Sequence, residues 1–494
     1  QFQARGFDIN GSTSLDRTNY YLTFPANDGN LRWALAWSAD AMVNSFIARK
    51  DLDSEMTVVR NEFEMGENDP ASVMLKRTQS LLFDWHNYRN NTIGARSDIE
   101  NVRIDNLQAF YRKYYQPDNA VLTVAGKFDE ARAVRMIADT FGKLPRPRRV
   151  LARPWTVEPT ADGERQFVIR RKGEVQLVTL AYRTPSSLHP DTDALDLASE
   201  VLGDTPNGRL YQALVRPGLA TEVFVYSADT REPGFVVFGA MVSKNGDPAR
   251  VRDTMIEAIE GGFARAGTTQ VELARAVEQA RTNYERALAD PQEFAVMLSE
   301  YIALGDWRLF FHARDQLDRL QPEQLDAAAG RYFVRDNRVL GTFLPEDSPQ
   351  RAVIPQAPSA AQLLADFRPR ETGDVGEAFD PSYENLDRRT LLRAFGDLKV
   401  ALLPKRNRGQ TVSVAMNFRW GNESSLQHRH LAGTLAIAML TRGTSQLNRQ
   451  QIADEITHLK IRGSLTQFQT TRDKLPGVLA LVAQMLSDAS FPSA

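Results

Sequence analysis

LQAFYRKYYQPDNAVLTVAG (107–126) and LDAAAGRYFVRDNRVLGTFL (325–344) lie far apart in a 494-residue chain and align without a gap. Leu107 pairs with Leu325, Tyr114 with Tyr332, Asp118-Asn119 with Asp336-Asn337, and Val121-Leu122 with Val339-Leu340. Each stretch predicts an amphipathic helix, an Asp-Asn turn and an apolar strand, because its apolar spacing changes from helical to continuous at the turn. The offset of 218 residues, from 107 to 325, suits a duplicated domain rather than a solenoid repeat.

Two further correspondences extend the unit. VQLVTLAYRTPSS (175–187) and TVSVAMNFRWGNE (411–423) both read as alternating strands that end in aromatic-Arg, followed by a turn and a long helix. DINGSTS (8–14) matches KIRGSLT (460–466), and LRWALAWSADAM (31–42) matches LPGVLALVAQML (475–486). Together they predict an α+β unit present once nearly whole and twice in part. The expected domains are 1–150, 151–345 and 388–494. The stretch 346–387, rich in Pro, Ala and charge with weak periodicity, reads as a linker between halves or as an ordered arm.

Bulk properties narrow the function. Sixty basic residues against 62 acidic ones give no global attraction to nucleic acid or anionic lipid. Cysteine is absent, which excludes disulfides, thiolate metal sites and cysteine nucleophiles and leaves the compartment, periplasm or cytoplasm, open. The longest apolar run, LAGTLAIAML (431–440), is too short to span a bilayer, so no membrane span is expected; it reads as a buried helix. The chain opens on Gln rather than Met, so we expect the interior of a longer protein.

SEMTVVRNEFEMGENDP (54–70) reads as a helix carrying Glu55 and Glu62 seven residues apart. Seven residues make nearly two turns, so both carboxylates lie on one stripe with Val58 and Val59. Either this is a solvated acidic helix, or a cation inside the fold receives the carboxylates. The histidines offer little. His86 sits among aromatics and reads as packed or surface-exposed rather than catalytic, while His428 and His430 are two apart and point apart on a helix.

GTSQLNRQQIADEI (443–456) with IRGSLT (461–466), INGSTSLDRTNYYLTFP (9–25), LRWALAWSADAM (31–42) and above all EMTVVRNEFEMGENDP (55–70) resemble the insulinase/pitrilysin family of zinc peptidases, the M16 or inverzincin family. The resemblance covers nearly the whole chain. It implies repeated α+β domains of the LuxS/metalloenzyme-like type, with antiparallel or mixed sheets packed by helices, forming two halves of a clam shell. It implies Zn2+ held by two histidines of an H-x-x-E-H helix and by a downstream glutamate, here Glu62, with Glu55 orienting a histidine. It also makes the first strand the edge where a peptide adds, with Asn10, Gly11, Ser12 and Thr13 as substrate contacts.

The departures are as informative. No H-x-x-E-H occurs in the chain, and the third repeat carries Thr434, Ile437 and Ala438 at the corresponding positions. Thr434 precedes Gly463 by 29 residues; the same distance before the matching Gly11 falls before residue 1, so the first repeat's zinc helix is expected outside this chain. The family's substrate-gripping Arg–Tyr pair is replaced in the second repeat by Leu214 and Thr221. The leading expectation is a piece of a zinc endopeptidase that encloses peptides or small unfolded proteins, partnered by a C-terminal half or a paired M16 subunit. The alternatives are a non-catalytic, peptide-binding M16-like subunit and a structural core protein of a membrane complex.

Overall fold

The computed structural model describes residues 2–368 and 375–490, and the chain divides into two compact units, Gln1–Ala352 and Val353–Ala494. Of the stretch read as a linker, 369–374 lie outside the described residues.

The first unit begins with a hairpin of β1 (Asp8–Thr13) and β2 (Thr18–Thr23). Helices α1 (Asp28–Asn44), α2 (Arg49–Asn68), α3 (Pro70–Leu82), α4 (Arg96–Asn101), α5 (Ile104–Tyr114) and α6 (Glu130–Thr140) follow. Local chemistry sets their starts: Asn27, Asp69 and Asp129 each accept a backbone N–H of the first turn of α1, α3 and α6. The second repeat supplies β3 (Arg165–Arg171), β4 (Val175–Arg183), α7 (Thr192–Gly203), β5 (Glu222–Ala228) and β6 (Phe235–Ser243). It continues through α8 (Pro248–Ile256), α9 (Gly262–Ala266), α10 (Gln270–Ala289), α11 (Pro291–Leu304), α12 (Leu309–Gln316), α13 (Pro322–Tyr332) and β7 (Arg338–Pro345).

These five strands form one sheet in the order β3-β7-β4-β6-β5, antiparallel except for the parallel β3–β7 pair. β4 is buried from Gln176 to Tyr182, so it is covered on both faces and reads as a continuous apolar run. One face packs against Leu195, Ala198 and Leu202 of α7, Val251 and Met255 of α8 and Leu325 of α13. The other is covered from the first repeat: Met74 of α3 meets Leu177 and Phe343, while Leu82 and Phe83 meet Ala181, Val237 and Val339. The α+β reading holds, with antiparallel and mixed sheets packed by helices.

The duplicated helix-turn motif is there in both copies. A 3-10 turn, Pro117–Asn119 or Arg335–Asn337, follows the helix each time, and its Asn donates to the carbonyl of the Tyr five residues earlier. The strand after it is not. Arg338–Pro345 is the strand β7, between β3 and β4, whereas 120–125 is extended but unpaired, with Val121 68% and Leu122 40% exposed. A strand exists only where neighbours take its N–H and C=O groups, and among the described residues the first repeat offers no such neighbours.

In the second unit β8 (Leu391–Phe395) and β9 (Leu398–Leu402) form a hairpin, and β10 (Thr411–Ala415), β11 (Arg462–Gly463) and β12 (Gln467–Thr471) form a sheet in the order β10-β12-β11. Its core is small: Ile452, Phe468, Val478, Leu481, Val482 and Met485 are buried. The expectation of a buried helix at 431–440 is corrected here. His430–Met439 is helical, but Leu431 and Leu435 are 70% and 53% exposed, because this core does not reach that helix.

Candidate functional site

The hairpin is the first part of the candidate site. Asn10 pairs with Tyr21, Gly11 with Tyr20, Ser12 with Asn19 and Thr13 with Thr18. All six residues of β1 are exposed, and among the described residues β1 pairs with β2 alone, so no strand covers its outer edge, although Gly11 N donates to Asn10 Oδ1 at 2.8 Å. Gly11 is small for a reason inside the hairpin: a Cβ there would lie 2.9 Å from the Asn19 carbonyl oxygen. The corresponding Gly463 faces the same restriction, 2.2 Å from the Gln467 carbonyl oxygen.

Side chains lock this hairpin to the second repeat. Asn19 Oδ1 accepts from Ser12 N (3.0 Å) and Ser12 Oγ (2.8 Å), and its Nδ2 donates to Ser299 Oγ on α11 (3.3 Å). At the turn, Asp16 accepts from Tyr88 Oη (2.6 Å) and from Arg231 N (2.8 Å), and Arg17 pairs with Glu300. Burial, then the bond to Asp16, pushes the Tyr88 hydroxyl far above its ordinary pKa, so it stays a donor. Behind it, Glu158 accepts the N–H groups of Asp84, Trp85 and His86 at 2.7, 3.0 and 2.8 Å. His86 is buried with its ring 4.1 Å from that of Tyr88, and its Nδ1 accepts from Tyr88 N, so of packed and surface-exposed it is the packed one.

The second part is α2, and here the inward stripe differs from expectation. Leu52, Met56, Val59 and Phe63 are the residues turned from solvent, and α2 packs on α3 and α4. Glu55 and Glu62 share a stripe, as their spacing requires, but it is the exposed one, with Val58 and Met65 50% and 72% exposed beside them. The seven-residue spacing fixes that two side chains point alike; it does not fix which side of Val58-Val59 meets the core. Neither carboxylate has a hydrogen-bond or ion-pair partner among the described residues. The glutamate of α2 that does enter a charge network is Glu67, held by Arg171 at 2.9 Å and Lys76 at 3.3 Å. Burial would raise its pKa, but those two cations hold it below the ordinary value.

The donor set does not fit a metal by itself: among the described residues no group of three or more His, Asp or Glu side chains could hold an ion. Glu62 stands alone, and the structure assembles no zinc site around it.

Sequence reading missed a recess of acids that only tertiary structure brings together. Asp193 and Asp196 of α7, Asp229 after β5 and Glu300 of α11 act on one another there, beside Tyr226, Tyr284, Tyr301 and His312. Water reaches Asp196 and Asp229, yet both are closely surrounded. Desolvation, then the neighbouring charges, pushes Asp229 up to about 6 and Asp196 well above the carboxylate range. The sequence signal was only Asp193 and Asp196 three apart on one helix.

Comparison with known proteins gives these features a family. Residues 101–280 match the model of the Peptidase M16 inactive domain. Zinc protease PqqE of Helicobacter pylori is 25% identical over 339 residues, 68% of this chain and 76% of that protein. The solved inactive peptidase domain of a Bordetella parapertussis protein is 40% identical, over 38% of this chain and 99% of that one, with a TM-score of 0.34. The periplasmic protease PqqL of Escherichia coli aligns with 99% of this chain and 59% of its own, at 15% identity and a TM-score of 0.56. Residues 101–280 thus belong to the M16 peptidase family, and the chain is similar over about two thirds of its length to proteins named zinc proteases.

Proposed function

We propose that this chain is part of a zinc endopeptidase that takes peptides or small unfolded proteins in extended form, Asn10–Thr13 offering the edge and Glu62 a metal ligand. The observation that carries the reading is β1: an exposed strand with one edge that no strand covers among the described residues, locked from behind through Asn19, Asp16 and Arg17. Such an edge binds a peptide through main-chain hydrogen bonds, tolerant of side-chain identity, because each added strand residue pairs N–H with C=O. A rigid backing lowers the ordering cost of binding.

By family resemblance Glu62 completes a zinc site whose two histidines and general base lie on an H-x-x-E-H helix not in this sequence, and Glu55 orients one of those histidines. We place the domains at 1–150, 151–345 and 388–494, with a linker over 346–387 and a C-terminal half or a second M16 subunit as partner. The test uses the product of the complete gene and a quenched fluorescent peptide. Cleavage abolished by chelation and by Glu62→Gln supports the reading; cleavage indifferent to both overturns it.

One observation favours a second reading, a peptide-binding subunit without chemistry of its own: the matched family model describes an inactive domain. Peptide binding without cleavage by the complete product would select it.

A further inference from the structure

A cavity of about 210 Å3 opens at the C-terminal end of α7, lined by Glu200 and Asp204 on one side and by Arg275 and Gln279 of α10 on the other. It belongs to the second repeat, and the peptidase reading makes no use of it. Glu200 and Asp204 lie one turn apart, where like charges repel. Asp204 is also the C-cap of α7, so both carboxylates face the negative end of the helix dipole. Among the described residues nothing within hydrogen-bonding distance offsets this. Neither side chain has a hydrogen-bond or ion-pair partner among the described residues, and Asp204 Oδ2 is cut off from water with no donor. Burial, then the Asp204 charge, raises the Glu200 pKa above its ordinary value.

A paired acid on the same wall shows the contrast. Glu272 is held by Arg209 at 2.8 Å and caps α10 through Thr269; although burial opposes it, those bonds hold its pKa at about 2. Arg275 lines the cavity with no carboxylate partner of its own. Two unpartnered acids and one unpartnered guanidinium therefore line the same cavity. A buried acceptor without a donor is costly, so such an atom calls for a ligand that donates.

We propose that this cavity binds a free α-amino acid, its ammonium held by Glu200 and Asp204 and its carboxylate by Arg275. An ammonium brings three donors to acids that have none, and guanidinium–carboxylate pairing is the strongest contact open to Arg275. A free amino acid carries both charges close together, whereas a residue inside a peptide has neither. A divalent metal suits the cavity less, because Arg275 would share its wall and the third acid there, Glu272, is already held by Arg209.

Isothermal titration of the 494-residue chain with glycine, L-alanine, L-leucine and L-glutamate tests this, up to about 10 mM, the weak end of specific binding. At least one should bind; its N-acetyl derivative should not, and its amide should bind roughly tenfold more weakly. Asp204→Asn should abolish binding, and Arg275→Gln should make the acid and the amide bind alike. Should Asp204→Asn fail to fold, Glu200→Gln and the acid–amide comparison in Arg275→Gln carry the same test. No binding by any amino acid, equal binding of the N-acetyl form, or binding unchanged in the folded variants overturns the proposal. So does calcium chloride binding that Asp204→Asn abolishes, which would make this a metal site.

Discussion

Asn337 Nδ2 donates to the Tyr332 carbonyl oxygen at 2.8 Å, closing the end of α13 where the chain turns into β7. The same amide donates at 2.8 Å to the Arg183 carbonyl oxygen at the end of β4, so it joins helix, turn and sheet. Asn119 makes only the first of these bonds, to Tyr114 at 3.1 Å, on an exposed turn. Asn337→Ala is expected to cost about 1–3 kcal/mol by leaving carbonyls unpaired, and Asn119→Ala less than about 1 kcal/mol. Urea unfolding of both variants measures the difference; equal losses would contradict it.

Arg338, at the start of β7, is 6% exposed and bonds Glu164 at 2.6 Å and Glu260 at 2.5 Å, while the Tyr182 hydroxyl donates to Glu260 at 2.8 Å. Arg338→Met strands two carboxylates beneath the sheet, an expected loss of about 3–5 kcal/mol. A melting point lowered by no more than that of an exposed Arg319→Met control would show the network to be dispensable.

The acid recess predicts a pH effect of defined sign. Asp229 is raised from 3.8 to about 6, with Asp193 and Asp196 shifted the same way, so the native state holds more protons than the unfolded chain in that window. Their contribution to stability is present below pH 3.8 and is lost as pH rises through about 6. Glu272 acts oppositely: its contribution is present above 4.5 and is lost as pH falls toward about 2. Asp196→Asn is therefore expected to gain stability over the unsubstituted chain at pH 7 and to gain little near pH 4. A gain equal at both pH values would indicate repacking instead.

Chelation gives a fourth expectation. Because no three-ligand group exists among the described residues, EDTA should leave the unfolding midpoint of the 494-residue chain unchanged, and zinc should not raise it. A zinc-dependent rise that Glu62→Gln removes would show a site assembled by other means.

The duplicated helix and turn, the β1–β2 hairpin and the existence of β4 could be read in the sequence, because capping residues, turn residues and apolar period are local properties; the alternation read into β4 did not announce that both its faces are covered. The failures are non-local. Val121-Leu122 has the composition of Val339-Leu340 but lacks the strands that make β7 a strand. Periodicity put Glu55 and Glu62 on one stripe correctly, while the facing of that stripe depends on where α3 and α4 pack. The recess around Asp196 draws on α7, on the end of β5 and on α11, and no spacing along the chain announces it.

The most direct test of the metal and peptide assignments is a zinc-edge anomalous diffraction map of the complete gene product grown with zinc and a non-cleavable peptide. The account predicts a peak about 2.0–2.2 Å from a Glu62 carboxylate oxygen, with the peptide paired along Asn10–Thr13. A zinc peak elsewhere, with Glu62 free in solvent, would contradict it.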